Sequence, residues 1–345
     1  MEPLVYALPE YNQTIKSSDL NIIFDNHPSP KLIKYGFNNI ANQLDMVALT
    51  SIPSYKAGLE FDFDRTEDNS FVAQAEKNFS VKEFDQTFGE FWEILLMFKL
   101  LNQDQIIYSP QNYRTVQSIV NSYQKITTNN FNIKIENTSK KTNAKLVIHK
   151  YSDIDLDENA SVQFIIDILP DLLSVQSEGS NMILQLFNMQ TQITSEIIYL
   201  LSNLYAEAYL FKPIIVSDLY DTKYIILINL KAKFNLVIPK HSENVYLSSL
   251  GFQNLPNNFE TMIQCMNSDV MAKKFQRYAI IKSYLDTKVY EGATYQEMIT
   301  QQKSNAKKWL EIFSNVSNLE SILDDSLKRT SIKCNTHSQL ISMFG

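Results

Sequence analysis

Glycine is scarce in this sequence, with seven in 345 residues, and cysteine is scarcer still, with two. Cys265 and Cys334 are too few and too far apart for a disulfide framework or a zinc pattern, so both read as ordinary side chains. The four histidines (His27, His149, His241, His337) are scattered, and none has a second at i+4, which argues against a metal site. No apolar run reaches membrane-spanning length, and the opening MEPLVYALPEYNQ lacks a basic region followed by an apolar core. A soluble, cytosolic chain is therefore expected. Positive charge is also in deficit. A formal net charge of -7 works against a broad phosphate-binding surface, because binding driven by counterion release needs a strongly basic face. Two local groups, Lys140, Lys141, Lys145 and Lys150, then Lys273, Lys274, Arg277 and Lys282, read as solvated faces of amphipathic elements.

The hydrophobic content, 44% against 20% charged, is that of a globular chain long enough to bury a substantial core. Residues 1–79 read as an amino-terminal extension, with two prolines in NHPSPKLIKYGF and a short strand in LEFDF. SVKEFDQTFGEFWEILLMFKLL then opens with a capping box from Ser80 to Glu83 and repeats Phe84, Phe88, Trp92 and Leu95 at helical spacing. QIIYSPQNYRTVQSIVNSYQKI reads as strand, turn and helix, with Ser109 as N-cap and Pro110 at the first helical position. FNIKIE and AKLVIHK give two further strands, and a helix over 158–176, bent at Pro170, leads into NMILQLF. Thr194 caps SEIIYLLSNLYAEA, after which YLFKPIIVSD and DTKYIILINLK supply two more strands, the last antiparallel. This alternation predicts an α/β domain over 80–258, a doubly wound, mostly parallel sheet. Amphipathic helices over 259–288 and 294–329 make a carboxy-terminal helical region that runs to residue 345.

Residues 80–230 resemble the FtsJ-like ribose 2′-O-methyltransferases, including the cap methyltransferases of large DNA viruses. The likeness is carried by GSNMILQLF, TSEIIYLLSNLYAEAYLFKP and DTKYIIL, in which Gly179, Lys212, Pro213 and Tyr224 stand at the family's spacing. It implies a Rossmann-like methyltransferase fold. In that family S-adenosylmethionine rests on a glycine-rich turn after the first strand, because the backbone must come close to the ligand. The corresponding turn here is Tyr108, Ser109, Pro110, Gln111, Asn112 and Tyr113, with no glycine and added bulk, so no cofactor is expected. The family also uses a Lys-Asp-Lys-Glu set to position and deprotonate the ribose hydroxyl. Those positions fall at Glu90, Lys150, Gln185 and Thr222, and none keeps its residue. Neither Lys145, five residues before Lys150, nor Asp221, one before Thr222, restores the set. A neutral amide at Gln185 cannot stabilise a developing alkoxide as an ammonium would.

A methyltransferase fold without its chemistry is similar to the small stimulatory subunits of poxvirus-type mRNA-capping enzymes. YALPEYNQTI, SPKLIKYGFNNI, KKFQRYAIIKSYL and IIVSDLYDTKYIIL, with Val216, Ser217, Asp218 and Asp221 in order, carry that resemblance, while the tail from about 290 to 345 is longer. The resemblance implies a catalytically inactive regulatory subunit. Its partner would be the large catalytic capping subunit, in a heterodimer, with RNA as a further partner inside the complex and neither metal nor membrane involved. Its role would be to stimulate guanine-N7 methylation allosterically and to serve early transcription termination, in the virion and the host cytoplasm. Tyr35, Phe37, Asn38 and Asn39 are candidate interface residues, combining aromatic anchors with amide hydrogen-bonders. Two rival readings are an active FtsJ-like cap ribose methyltransferase and a stand-alone RNA-binding module carried by Lys140 to Lys150.

Overall fold

Side chains that alternate between two apolar faces dictate a sheet covered on both sides, and the chain folds that way. The computed structural model describes residues 3–11, 15–29, 69–128, 130–138, 143–151, 158–186, 188–218, 220, 222–239, 245–252, 254–287, 293–314 and 319–344. The strands are β1 (Leu4–Ala7), β2 (Ile23–Asp25), β3 (Gln105–Tyr108), β4 (Ile133–Glu136), β5 (Ala144–His149), β6 (Gln176–Leu186), β7 (Tyr205–Lys212), β8 (Lys223–Leu230) and β9 (Tyr246–Ser249). The helices are α1 (Asn69–Phe79), α2 (Gln86–Met97), α3 (Tyr113–Thr127), α4 (Glu158–Ser174), α5 (Gln192–Leu204), α6 (Asn257–Thr287), α7 (Ala293–Ser314) and α8 (Leu319–Phe344).

Seven strands form one mixed sheet in the order β1-β7-β8-β6-β5-β3-β4, and β2 pairs with β9 in a separate ribbon. Strands β4, β3, β5 and β6 run parallel, whereas β8 is antiparallel to both of its neighbours, β6 and β7. The α/β class and the reversed last strand thus agree with the sequence. Along β8, Ile225 and Leu227 face one core while Tyr224 and Ile226 face the other. The first core takes in α4, α5 and the start of α6, and the second takes in α1, α2, α3 and the end of α7. Trp309 and Phe313 of α7 are fully buried against α1 and α2, which fastens α7 to the domain, since each such side chain contributes on the order of 2–3 kcal/mol.

The amino-terminal residues expected to form an extension supply the edge strand β1, which pairs with β7. Its outward carbonyls are closed by helix α8, where Ser326 Oγ donates to Pro3 O at 2.9 Å and Thr330 Oγ1 to Val5 O at 2.7 Å. An edge that would otherwise offer unpaired backbone groups is covered.

Several element boundaries differ from the sequence reading, each for a local reason. Ser80 does not open α2. It sits at φ 54° just after α1, and Ser80 N and Val81 N bond back to Lys77 O and Glu76 O, so it closes the preceding helix. The cap of α2 is Asp85, whose carboxylate accepts from Phe88 N at 2.6 Å. Helix α3 begins at Tyr113 rather than at Pro110, because Ser109 and Pro110 belong to the loop after β3. Helix α5 is capped by Thr191, not Thr194, and the Glu158 carboxylate lies at its start, accepting from Gln190 N, Thr191 N, Thr191 Oγ1 and Thr194 Oγ1. Strand β7 starts at Tyr205, so YAEA is strand instead of helix. The stretch 294–329 is divided between α7 and α8. LEFDF lies outside the described residues.

Candidate functional site

In an open α/β sheet, ligands bind beyond the carboxyl ends of the parallel strands, where the strand order reverses and two loops part. Here β3 leads outward to β4, and β5 returns on the other side of β3, so that point lies between the ends of β3 and β5. The sequence-derived turn and three of the four substituted positions converge on it.

Tyr108 ends β3 as a buried side chain and Ser109 follows, also buried, with no hydrogen-bond partner for its hydroxyl among the described residues. Pro110 is half-buried and Gln111 exposed, followed by half-buried Asn112 and Tyr113. Asn112 occupies the N-cap position of α3 but does not cap it. Its amide oxygen accepts from the backbone N–H of Lys150 at 3.2 Å, which ties the loop after β3 to the loop after β5 across the mouth.

Lys150 turns its side chain inward. Its Nζ donates to Glu90 Oε2 at 2.8 Å and to Thr87 Oγ1 at 2.9 Å, and both charged side chains are almost wholly removed from water. Gln86 Nε2 donates to Glu90 Oε1 at 2.7 Å, and the Tyr224 hydroxyl also donates to the Glu90 carboxylate. Glu90 thus receives three side-chain donors from three elements: α2, β8 and the loop after β5. A buried carboxylate and a buried ammonium are each costly alone and tolerable together when their remaining capacity is satisfied. The pair is neutral as a unit.

Gln185 lies beside this pair, directly across β6 and β8 from Tyr224. Its Oε1 accepts from Tyr151 N at 2.9 Å, which holds the chain as it leaves β5. Thr222 is half-buried, one residue ahead of β8. The structure therefore brings Glu90 and Lys150 into contact, sets Gln185 alongside, and leaves Thr222 at the strand entrance. Lys145 lies near the opposite end of β5, donating to Glu178 O at 3.0 Å. Lys150 is five residue steps further along the chain, roughly 16 Å at about 3.3 Å per residue, so Lys145 does not reach the mouth. Because Lys150 is buried, the lysines from 140 to 150 do not form one exposed patch. Lys140, Lys141, Asp221 and the candidate interface residues Tyr35, Phe37, Asn38 and Asn39 lie outside the described residues.

One turn beyond Glu90, a second buried glutamate does structural work. Glu93 accepts from Ile214 N and Ile215 N, each at 2.7 Å, and from Trp309 Nε1 at 2.6 Å, joining α2 to the loop after β7 and to α7. Lys212 Nζ donates to Ser217 O and Tyr220 O, folding that loop on itself. His149, next to Lys150, is buried, with neither ring nitrogen bonded to a described residue, and burial pushes its pKa down to about 4. It is a neutral imidazole at physiological pH.

The side chains that complete the Glu90–Lys150 site, Gln86 and Tyr224 as donors to Glu90 and Thr87 as an acceptor from Lys150, were not singled out from the sequence as its partners. Two signals were available. Gln86 and Glu90 stand at i, i+4 on one helix, and the two charge-reversed positions remain complementary to each other when both are reversed. Among the described residues, no group of three histidine, cysteine or acidic side chains could hold a metal ion, and no helix is long and apolar enough to cross a membrane.

No family model matches the chain. Over 351 aligned residues it is 46% identical to "Uncharacterized protein R383" of Acanthamoeba polyphaga mimivirus, with 100% of each chain covered. Such identity over the full length of both means that this chain belongs to the same family as that mimivirus protein.

Proposed function

We propose that this protein is a catalytically inert regulatory subunit with a Rossmann-like methyltransferase fold. It binds the large catalytic subunit of a viral mRNA-capping enzyme, stimulates guanine-N7 methylation there and serves early transcription termination. The observation that carries this reading is the Lys150–Glu90 ion pair, closed at 2.8 Å in the interior where a methyltransferase of this kind would keep charged groups available to its substrate. A lysine and an aspartate of the resembling family are here a glutamate and a lysine. They satisfy each other and Tyr224, Gln86 and Thr87 instead of a ribose hydroxyl. The fold reading draws support from the parallel run β4-β3-β5-β6 with its reversal beside β3, and from the antiparallel last strand seated between β6 and β7. A viral relative suits a capping role in a virus-encoded complex.

In this reading the mouth, bridged by Asn112, takes no part in donor binding, and the fold serves contact with another polypeptide. A partner stimulates an enzyme by binding its active conformation more tightly than the inactive one, and the gain in rate is bounded by that difference in affinity. Co-expression with the large capping subunit of the same virus tests the reading. A stable heterodimer with several-fold faster guanine-N7 methylation is expected. A chain that stays apart from the large subunit and leaves its rate unchanged contradicts it.

A further inference from the structure

A half-open cavity of about 190 Å³ lies between α6, α8 and the start of β1, with Pro3 and Leu4 in its wall. Its polar lining comes from the two helices. Asp269 and Lys273 stand one turn apart on α6, and Ser326, Arg329, Thr330 and Lys333 recur at helical spacing on α8. Several of these groups are already spent within the chain. The Ser326 and Thr330 hydroxyls give their protons to Pro3 O and Val5 O, which holds α8 on the edge strand. Asp269 forms an ion pair with Lys333 and also accepts from the Tyr6 hydroxyl.

Two cations remain. Lys273 is half-buried, and its ammonium has no hydrogen-bond or ion-pair partner among the described residues. Arg329 is exposed, and its Nε donates to Asp325 O, one turn earlier in α8, at 3.2 Å. Asp269 is the one carboxylate among the lining residues, and Lys333 balances it, so the wall keeps two net positive charges. That surplus stands out in a chain whose formal net charge is -7. Two like charges held on facing helices repel each other, and a half-buried ammonium without a partner has lost hydration it does not recover. An anion that spans both side chains removes both costs. The basic group read from the sequence as a solvated face thus has one member, Lys273, in the wall of a cavity.

We propose that this cavity binds a phosphate group, as the free ion or as the end of a small phosphomonoester, held by Lys273 and Arg329. A phosphoryl group carries about 1.5 to 2 negative charges at pH 7 and three strong acceptor oxygens, which matches the surplus in the wall. The planar guanidinium fork of Arg329 suits two of those oxygens, and the Lys273 ammonium acts as a point charge on the group. The cavity is smaller than the roughly 300–1,000 Å³ of sites that enclose drug-sized ligands, so whatever the phosphate is attached to points to solvent. No aromatic side chain lines it, so it offers a nucleobase no ring to stack on. Bound there, the anion ties α6 to α8 across the start of β1.

The test is calorimetric titration of the full chain with inorganic phosphate, glycerol phosphate and acetate in turn, at an ionic strength held constant with sodium chloride. Saturable one-to-one binding of a phosphate compound is expected, with acetate much weaker. Tighter binding of inorganic phosphate assigns the site to the free ion, and tighter binding of glycerol phosphate assigns it to a phosphomonoester. Lys273→Gln and Arg329→Gln should each weaken binding roughly tenfold or more, the effect of losing one charge-assisted hydrogen bond. Lys99→Gln, at an exposed lysine outside the cavity, should leave it unchanged. No saturable heat with either phosphate compound, acetate bound as tightly as phosphate, or an affinity that Lys273→Gln and Arg329→Gln leave intact would each overturn the proposal. The comparison of phosphate with acetate on the unsubstituted chain decides the matter even where a variant fails to fold.

Discussion

Lys150 and Glu90, sixty positions apart in the sequence, hold each other at 2.8 Å in the interior, the ammonium leaving the end of β5 and the carboxylate arriving from α2. Few placements of two opposite charges do more to define what a site can and cannot do. The carboxylate is committed to Lys150, Gln86 and Tyr224, and the ammonium to Glu90 and Thr87.

Removing one partner strands the other. Lys150→Met leaves a buried carboxylate with fewer donors and is expected to cost about 3–5 kcal/mol of stability, the range for breaking a buried pair. The double variant Glu90→Leu with Lys150→Met removes both charges and should lose much less than the single change. Urea denaturation of the two proteins measures the difference. Equal losses would mean that the pair is not coupled.

Gln185→Lys restores the residue type of the resembling catalytic family at its central position. It also places a second ammonium beside Lys150 and deprives Tyr151 N of its acceptor. The expected outcome is a loss of about 1–3 kcal/mol and no methyl transfer to capped RNA. Activity gained from this one substitution would show a latent catalytic site.

Acid should weaken the fold through His149. Its pKa is near 6.5 when unfolded and about 4 when folded, because burial disfavours the charged form. The unfolded chain therefore binds the proton first as pH falls. The stability present above pH 6.5 is lost through the window down to about 4, by an amount on the order of 3 kcal/mol, and the slope ends below it. His149→Met should flatten that window in pH-dependent denaturation, and an unchanged slope would assign it to other groups.

Thr330→Val keeps the shape of its side chain and deletes the hydroxyl that donates to Val5 O at 2.7 Å. Leaving that edge carbonyl unpaired should cost about 1–3 kcal/mol and speed hydrogen exchange along β1, whereas Thr330→Ser should retain most of the stability.

Apart from its edge strand β1, which the sequence reading left in an extension, the sheet was legible because its strands are short apolar runs between helices of clear periodicity, down to the reversed strand at DTKYIILINLK. Boundaries failed where a residue's side chain serves a distant partner. Asn112 bonds Lys150 across the mouth instead of capping α3, and a Ser-x-x-Glu pattern at Ser80 disguised a helix end as a helix start. At the site, the altered positions could be read one at a time, yet their mutual satisfaction could not, since Glu90 and Lys150 become partners only when α2 packs on the sheet. Tyr35, Phe37, Asn38 and Asn39 fall outside the described residues, so the interface assignment rests on sequence resemblance.

The most direct measurement is calorimetric titration of the purified chain with S-adenosylmethionine. With the mouth between β3 and β5 bridged by Asn112 and its charges spent on each other, no saturable heat is expected up to millimolar donor. One-to-one binding of the donor, abolished by substitutions at Asn112 or Tyr113, would contradict the account.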